Sequence, residues 1–136
     1  MNKTFILKND LIEIKRLTDI LCKLCEENSI CNKVLCDVTL ALEEIFANIV
    51  NYAYEDNKEH LVKIHVKIQD NVLALEIKDD GKPFNPLEIP MTNTQAPFAE
   101  RKIGGLGIHL VRNLIDELAY KHVKGKNVLT LKIRLQ

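Results

Sequence analysis

In the first part of the chain, the apolar residues recur mainly with the period of a helix. A short, partly β-branched segment, Thr4–Leu7, is expected to form a strand, and Asn9 or Asp10 can cap a helix that follows it. The apolar residues of that helix recur at steps of three and four and form one stripe: Leu11, Ile14, Leu17, Leu21 and Leu24. A second segment with the same period predicts a helix that opens at Asn28 or Ser29 and runs to about Tyr54.

Further along the chain, apolar and polar residues alternate, which is typical of strands with one wet face. The alternation across residues 62–78, interrupted at Gln69–Asn71, predicts a hairpin. A helix is predicted over Ile108–Leu118, with Leu110, Val111 and Leu114 apolar. A second hairpin is expected across Gly125, formed by two strands: Ala119–Lys124 and Val128–Leu135.

This order of elements predicts an α+β two-layer sandwich, a mixed, mainly antiparallel sheet covered on one face by three helices. The length of 136 residues suits a single domain, residues 1–136, with a real core. Nineteen basic residues balance nineteen acidic ones, so bulk charge gives no attraction to nucleic acid or to an anionic membrane. No apolar segment is long enough to span a bilayer and no signal peptide is evident, so a cytoplasmic protein is expected.

The four cysteines suggest little chemistry. Cys22 and Cys25 form a C-x-x-C pair inside a helical pattern, and no second pair follows at zinc-site spacing. Reduced, mostly buried thiols are therefore expected at Cys22, Cys25, Cys31 and Cys36.

Two polar residues break the apolar side of the second helix. Glu44 and Asn48 are four positions apart, so they lie one above the other on one face. Ala41, Asn51 and Tyr52 continue that stripe. A carboxylate with a carboxamide one turn later suits a nucleotide site in which one helix supplies both a general base and a magnesium ligand. A solvated polar face would give the same local pattern.

A second polar feature follows the first predicted hairpin, in the sequence IKDDGKPF. Asp79 ends a strand and could accept a hydrogen bond from the exocyclic amine of adenine. Gly81, which has no side chain, would let a base approach the backbone closely. Asp-Asp-Gly after a strand is also a plain turn, so this segment alone is a weak signal.

The third feature is a glycine-rich entry to the last helix, RKIGGLGIHLVRNLID. Helix N-termini present free amide donors and the positive end of the helix dipole, and glycines let phosphates come close to them. Arg101 stands just upstream, where it could reach the same phosphates. The segment is not a Walker P-loop, because the Gly-Lys-Ser/Thr ending is missing. It is not a Rossmann fingerprint either, because no parallel βαβ unit surrounds it.

Taken in order, Glu-x-x-x-Asn on a helix, Asp-x-Gly after a strand and Gly-x-Gly before a helix resemble the GHKL ATPase superfamily. Within it, the segments ALEEIFANIVNYAY, DDGKPFNP and GGLGIHLVR are most similar to the anti-sigma-factor serine kinases. The resemblance covers nearly the whole chain, and the ordered set is specific although each part alone is not. It implies the histidine-kinase-like, Bergerat-type fold, with ATP and Mg²⁺ as cofactors.

The resemblance also implies roles for individual residues. Glu44 matches the general base of the family, and Asn48 matches the magnesium ligand that bridges the metal to the phosphates. Asp79 matches the adenine-reading carboxylate and Gly81 the glycine beside it. The remaining nucleotide-binding residues would come from the glycine-rich segment: Arg101, Gly104, Gly105, Leu106, Gly107 and Ile108.

Two positions depart from the pattern of the superfamily. Pro83 stands where a second glycine is usual, and Tyr52 stands where a histidine is often found. The proline-rich residues 84–103 would form the lid over the nucleotide, but Pro83 prevents any transfer of lid geometry from the family.

The resemblance implies an ATP-binding anti-sigma factor that is also a serine protein kinase. Glu44 would accept the proton of a serine hydroxyl on a small anti-sigma-factor antagonist, and the protein would hold a sigma factor inactive. The resemblance allows a homodimer, since the family tends to dimerise, but the sequence leaves the oligomeric state open. Neither nucleic acid nor a membrane is an expected partner.

Two other functions remain open. The chain could be a non-catalytic binding module in which ATP controls partner switching, or a stand-alone histidine-kinase-type ATPase domain. The last would need a phosphoacceptor histidine from another domain and would give phosphohistidine rather than phosphoserine.

Overall fold

A computed structural model describes residues 1–88 and 105–135 of the chain. Its centre is a five-stranded sheet in the order β1-β2-β3-β5-β4. The four strand pairings in the described residues are all antiparallel, so the expected mixed sheet is antiparallel throughout. The strands are β1 (Asn2–Lys8), β2 (Leu61–Gln69), β3 (Val72–Asp79), β4 (Glu117–Val123) and β5 (Lys126–Arg134).

The described helices are α1 (Ile14–Glu27), α2 (Asn32–Tyr52) and α3 (Gly105–Leu114). Short 3₁₀ turns occupy Leu11–Glu13 and Pro86–Glu88. The predicted α+β sandwich is therefore confirmed, with three helices and five strands in the described residues. No helix in this part of the chain is both long and apolar enough to cross a membrane.

The first predicted helix starts with a 3₁₀ turn. Asp10 is its N-cap, and its side chain accepts a hydrogen bond from the amide of Ile12. Because the turn carries Leu11 out of the helical stripe, that side chain is 44% exposed, whereas Leu17 and Leu21 are buried. The prediction that Leu11 belongs to the apolar face was wrong.

The start of α2 was placed three to four residues too early. Ser29 has a φ of +54°, and the amide of Ile30 donates to the carbonyl of Cys25, so this segment closes α1. Cys31 is extended and precedes the first helical residue, Asn32. The chain needs these residues to reverse direction between the two helices.

The third helix lies earlier than the predicted Ile108–Leu118. It begins at Gly105, inside the glycine-rich segment, and ends at Leu114. The amide of Asp116 already donates to the carbonyl of Lys132, and Leu118 belongs to β4. The residues from Glu117 to Leu118, which the helical pattern predicted to be helical, therefore pair in the sheet instead.

Both predicted hairpins close through turns with left-handed backbone. Asp70 and Asn71 have φ values of 53° and 63°, and Lys124 and Gly125 have values of 54° and 76°. Two successive residues with positive φ match the right-handed twist of the flanking strands. These turns set the register that places alternate side chains of β3 and β5 on the helical side of the sheet.

The core lies between that face of the sheet and the helices. Ile45 and Ile49 of α2 are at most 1% exposed, as are Ile64 of β2 and Leu75 of β3. Each such side chain contributes about 1.5–3 kcal/mol relative to exposure. Since α2 is buried along most of its length, polar residues on its inner side are held in a rigid setting.

The expectation of mostly buried thiols was wrong. Cys25 is buried, but Cys22, Cys31 and Cys36 are exposed, and all four are free. Burial raises the pKa of the Cys25 thiol to about 11, so this thiol is protonated at neutral pH. The described residues contain no cluster of three or more His, Cys, Asp or Glu side chains able to hold a metal.

Candidate functional site

Asn48 is the most unusual residue of α2. It lies one helical turn after Glu44 and is fully buried, with 0% of its surface exposed. Both side-chain atoms, Oδ1 and Nδ2, lack a hydrogen-bond partner among the described residues. Leaving a buried polar group unpaired costs about 1–3 kcal/mol, so a buried amide in this state is suited to a ligand rather than to the core.

The free amide oxygen of Asn48 fits a hard divalent cation, because amide and carboxylate oxygens are the donors that Mg²⁺ accepts. A single protein oxygen suits Mg²⁺ in particular, since this ion keeps several waters and often shares its remaining positions with phosphate oxygens. The residues present therefore fit the cation that the sequence pattern predicts.

Glu44 presents a half-buried carboxyl on the same helical face. Burial raises its pKa, and the neighbouring charge of Glu43 raises it further. Glu43 itself accepts a hydrogen bond of 3.1 Å from the hydroxyl of Thr18 on α1. Among the described residues no hydrogen bond or ion pair reaches Glu44, which leaves its carboxylate available to accept a proton.

Asp79 occupies the last inward position of β3, in step with the apolar residues Leu75 and Ile77. It is 3% exposed. Its Oδ1 accepts two hydrogen bonds of 2.9 Å, from the amide of Gly81 and from Nδ2 of Asn127. Burial raises the pKa of Asp79, and these two hydrogen bonds oppose that rise. In the described part of the chain, nothing donates to its other oxygen, Oδ2.

Gly81 is required by packing against the end of α2. A Cβ at this position would lie 2.5 Å from the carbonyl oxygen and 2.8 Å from the Cβ of Ala53. The amide of Lys82 donates to that same carbonyl at 2.9 Å. The glycine thus lets the turn after β3 sit directly on the helix, a reason for its presence that the sequence did not indicate.

These contacts connect the part of the candidate site on α2 with the part at the end of β3. Ala53 follows Asn48 by five residues, about 7.5 Å along a helix axis. The ring of Tyr52 packs on Phe84 with centroids 5.9 Å apart, which holds the chain after Gly81 against α2 as well. Asp79 and Asn48 are therefore fixed relative to each other by one helix end and one turn.

Asn127 contacts the candidate site through Asp79, and the sequence analysis missed it. It is 2% exposed and directly opposite Asp79 in the pairing of β3 with β5. A signal was present, because the inward alternation of Leu129, Leu131 and Ile133 leads back to position 127. The predicted strand began at Val128, two residues after the observed start at Lys126, so the polar residue at inward position 127 was left out of it.

The glycine-rich segment is only partly described. Arg101 and Gly104 lie outside the described residues, as do residues 89–103 of the predicted lid. The backbone of the next four predicted binding residues forms the first turn of α3: Gly105, Leu106, Gly107 and Ile108. The first amides of a helix have no partner within it, so this turn is where phosphate oxygens would find donors.

Comparison with known proteins identifies the family of the chain. Residues 7–133 match the family described as histidine kinase-like ATPase domain. The chain therefore belongs to that family, and membership implies a site for ATP.

Among curated relatives, an anti-sigma F factor from Caldanaerobacter subterraneus is 30% identical over 95 residues. The match covers 70% of this chain and 66% of that protein. The serine-protein kinase RsbW of Oceanobacillus iheyensis is 26% identical over 100 residues, covering 71% of this chain and 63% of the relative. The chain thus spans just under two thirds of the length of these relatives.

Two solved structures share the fold. The RsbU and RsbW domains of a Mycobacterium tuberculosis protein superpose with a TM-score of 0.70 at 16% identity, covering 99% of this chain and 32% of that one. The histidine kinase AdeS of Acinetobacter baumannii gives 0.53 at 14% identity, covering 98% and 68%. Both likenesses concern the fold.

Replacing Gly81 tests the contact with α2. The Gly81→Ala variant is expected to lose about 1–3 kcal/mol of unfolding free energy, because the added Cβ overlaps the backbone of Ala53. Urea denaturation followed by circular dichroism measures the loss. Gly125→Asn is the matched control, since nothing lies within 4 Å of a Cβ there and Asn tolerates its positive φ. Equal losses in both variants would contradict the proposed contact.

Asn48→Leu tests whether the buried amide is held ready for a ligand. Leucine has a similar shape and removes both unpartnered atoms, so the nucleotide-free variant should be at least as stable as the wild type. Thermal unfolding without nucleotide or divalent cation checks this. A marked drop in the melting temperature would show that the amide is instead satisfied within the protein.

Proposed function

We propose that this chain is an ATP-binding anti-sigma factor that acts as a serine protein kinase. It would phosphorylate a small anti-sigma-factor antagonist and sequester a sigma factor. The observation that carries the proposal is the pair on α2: a buried, unpartnered Asn48 amide one turn from Glu44, a carboxyl with a raised pKa. The family match over most of the chain supports a single domain for this activity.

The nucleotide would be held at both ends. Oδ2 of Asp79, to which no described residue donates, would accept a hydrogen bond from the exocyclic amine of adenine. The first turn of α3 would supply amide donors to the phosphates, and Arg101 would add a positive charge upstream. Asn48 would hold Mg²⁺, which when bound neutralises the charge of the phosphate oxygens.

Glu44 would act as the general base. Its carboxylate would take the proton of the attacking serine hydroxyl while the serine oxygen forms a bond to the γ-phosphorus. The bond to the β-γ bridging oxygen would break and ADP would leave, so that phosphoserine and ADP are the products. The raised pKa makes Glu44 a stronger base than an exposed glutamate, as this step requires.

The names of the relatives support the proposed partners. One curated relative is called an anti-sigma F factor and another a serine-protein kinase. In this chain, phosphorylation of the antagonist would determine which of the two proteins remains bound. A module that binds ATP without turnover would need no base, so the presence of Glu44 at the correct helical spacing favours a kinase.

Isothermal titration calorimetry of ATP, with and without Mg²⁺, tests the nucleotide site. Wild type should bind ATP in a magnesium-dependent manner. Asp79→Asn should lose most of that affinity, because an amide whose NH₂ faces the adenine amine cannot accept from it. Asp80→Asn, the exposed neighbour, is the control and should bind like wild type. Absence of ATP binding by the wild type would overturn the proposal.

Glu44→Gln tests the base. The variant should bind Mg²⁺–ATP but fail to transfer labelled phosphate to a purified anti-sigma-factor antagonist. In the wild type, the rate should fall as pH decreases through a pKa above the ordinary 4.5, because only the ionised carboxylate accepts a proton. Glu43→Gln, which keeps an acceptor for Thr18, is the control and should retain transfer. Undiminished phosphoserine formation in Glu44→Gln would exclude Glu44 as the base.

The same carboxyl gives a readout that needs no partner. Since its folded pKa is raised, Glu44 contributes stability that is present at low pH and lost as pH rises through the unfolded and then the folded value. Above that range Glu44→Gln should be more stable than wild type, and the difference should shrink towards acid pH. A difference independent of pH would argue against a raised pKa.

A further inference from the structure

Asn127 makes more hydrogen bonds than any other described side chain near the site. Its Nδ2 donates to Oδ1 of Asp79 at 2.9 Å and to the carbonyl of Lys82 at 2.8 Å. Its Oδ1 accepts from the amide of Phe84 at 3.1 Å and from the hydroxyl of Tyr120. Both donor positions and both acceptor positions of the amide are therefore used.

Two backbone groups fix the orientation of this amide. The carbonyl of Lys82 can only accept, so it must face the NH₂ group. The amide of Phe84 can only donate, so it must face the oxygen. A flipped amide would place two donors together and two acceptors together. The positions of N and O in this amide are therefore determined by the two backbone groups beside it.

This orientation has a direct effect on Asp79. Its Oδ1 accepts one hydrogen bond from Nδ2 of Asn127 and another from the amide of Gly81, so a proton cannot reside on Oδ1 without breaking these bonds. Both bonds favour the ionised carboxylate, against the burial that disfavours it. Of the nearby charges, Lys126 also favours the ionised form and Asp80 opposes it. The other oxygen, Oδ2, is left as an acceptor for the ligand.

We infer that Asn127 is a positioning residue that makes Asp79 an obligate hydrogen-bond acceptor and so sets the preference of the site for a base with an exocyclic amine. Adenine presents a donor at that point, whereas guanine and hypoxanthine present a carbonyl oxygen that would meet the carboxylate as a second acceptor. This inference rests on the proposed function, because it concerns the same nucleotide site.

The experiment compares ATP with inosine triphosphate, in which a carbonyl oxygen replaces the exocyclic amine. Calorimetry in the presence of Mg²⁺ gives the affinity of each nucleotide, and their ratio is the readout. In Asn127→Leu, which has nearly the same shape but no amide, the ratio should fall about tenfold or more. A residue that merely supports the fold would weaken both nucleotides equally and leave the ratio unchanged.

Two further variants keep the test decisive. Asn127→Ala leaves room for water to bond the carbonyl of Lys82 and the amide of Phe84, so it provides a folded alternative if the leucine variant is unstable. Its preference for ATP over inosine triphosphate should fall as in the leucine variant. Tyr120→Phe is the matched control, since it removes one donor to Asn127 but leaves both backbone groups that fix the amide. It should keep the ratio of the wild type.

The outcomes separate the two proposals. A wild type that binds neither nucleotide overturns the proposed function and this inference together. A wild type that prefers ATP, with the same preference in Asn127→Leu and Asn127→Ala, overturns the inference alone. Loss of the preference in these two variants, with its retention in Tyr120→Phe, supports the inference.

Discussion

The rest of the site depends on the burial of one carboxylate. Asp79 lies at an inward position of a central strand, where its neighbours are apolar and its ionised form is disfavoured. Two donors compensate, one from the turn that follows and one from the facing strand β5. The turn can reach Asp79 only because Gly81 allows it to rest on the end of α2. The need to supply hydrogen-bond donors to Asp79 therefore fixes the positions of α2, the turn at Gly81 and the pairing of β3 with β5.

Local patterns in the sequence predicted most of this arrangement. The helical stripe placed Glu44 and Asn48 on one face, and alternation placed both hairpins, because spacing along one element needs no knowledge of the other elements. The errors occurred where tertiary contacts decided. Helix α3 ends at Leu114, earlier than predicted, because the residues after it pair in the sheet. Leu11 lies in a 3₁₀ turn and is exposed rather than part of the core. Asn127 was missed because the predicted strand began after it, and its contact with Asp79 depends on the pairing of β5 with β3.

Stability and function are in conflict on α2. A helix that filled its inner face with leucine and isoleucine would pack better than one with an unpaired amide and a half-buried carboxyl. Both polar groups sit on a helix whose inner face is buried in the core, so the surrounding core fixes their positions. A rigid helix that tolerates two unfavourable groups is a usual basis for a preorganised site.

The candidate site needs the pairing of β3 with β5, which joins distant parts of the sequence. Asp79 and Asn127 are 48 residues apart in sequence, whereas β2 and β3 meet through a two-residue turn. Local hairpins close in about 1–10 μs, but distant strands must first bring a long loop together. A chain in which only α2 and the first hairpin had formed would lack Asn127 opposite Asp79, so the candidate site would be incomplete. A nucleotide that needs this pairing would bind only the fully folded chain. A higher nucleotide concentration would therefore raise the fraction of chains that are folded as well as the fraction that carry nucleotide.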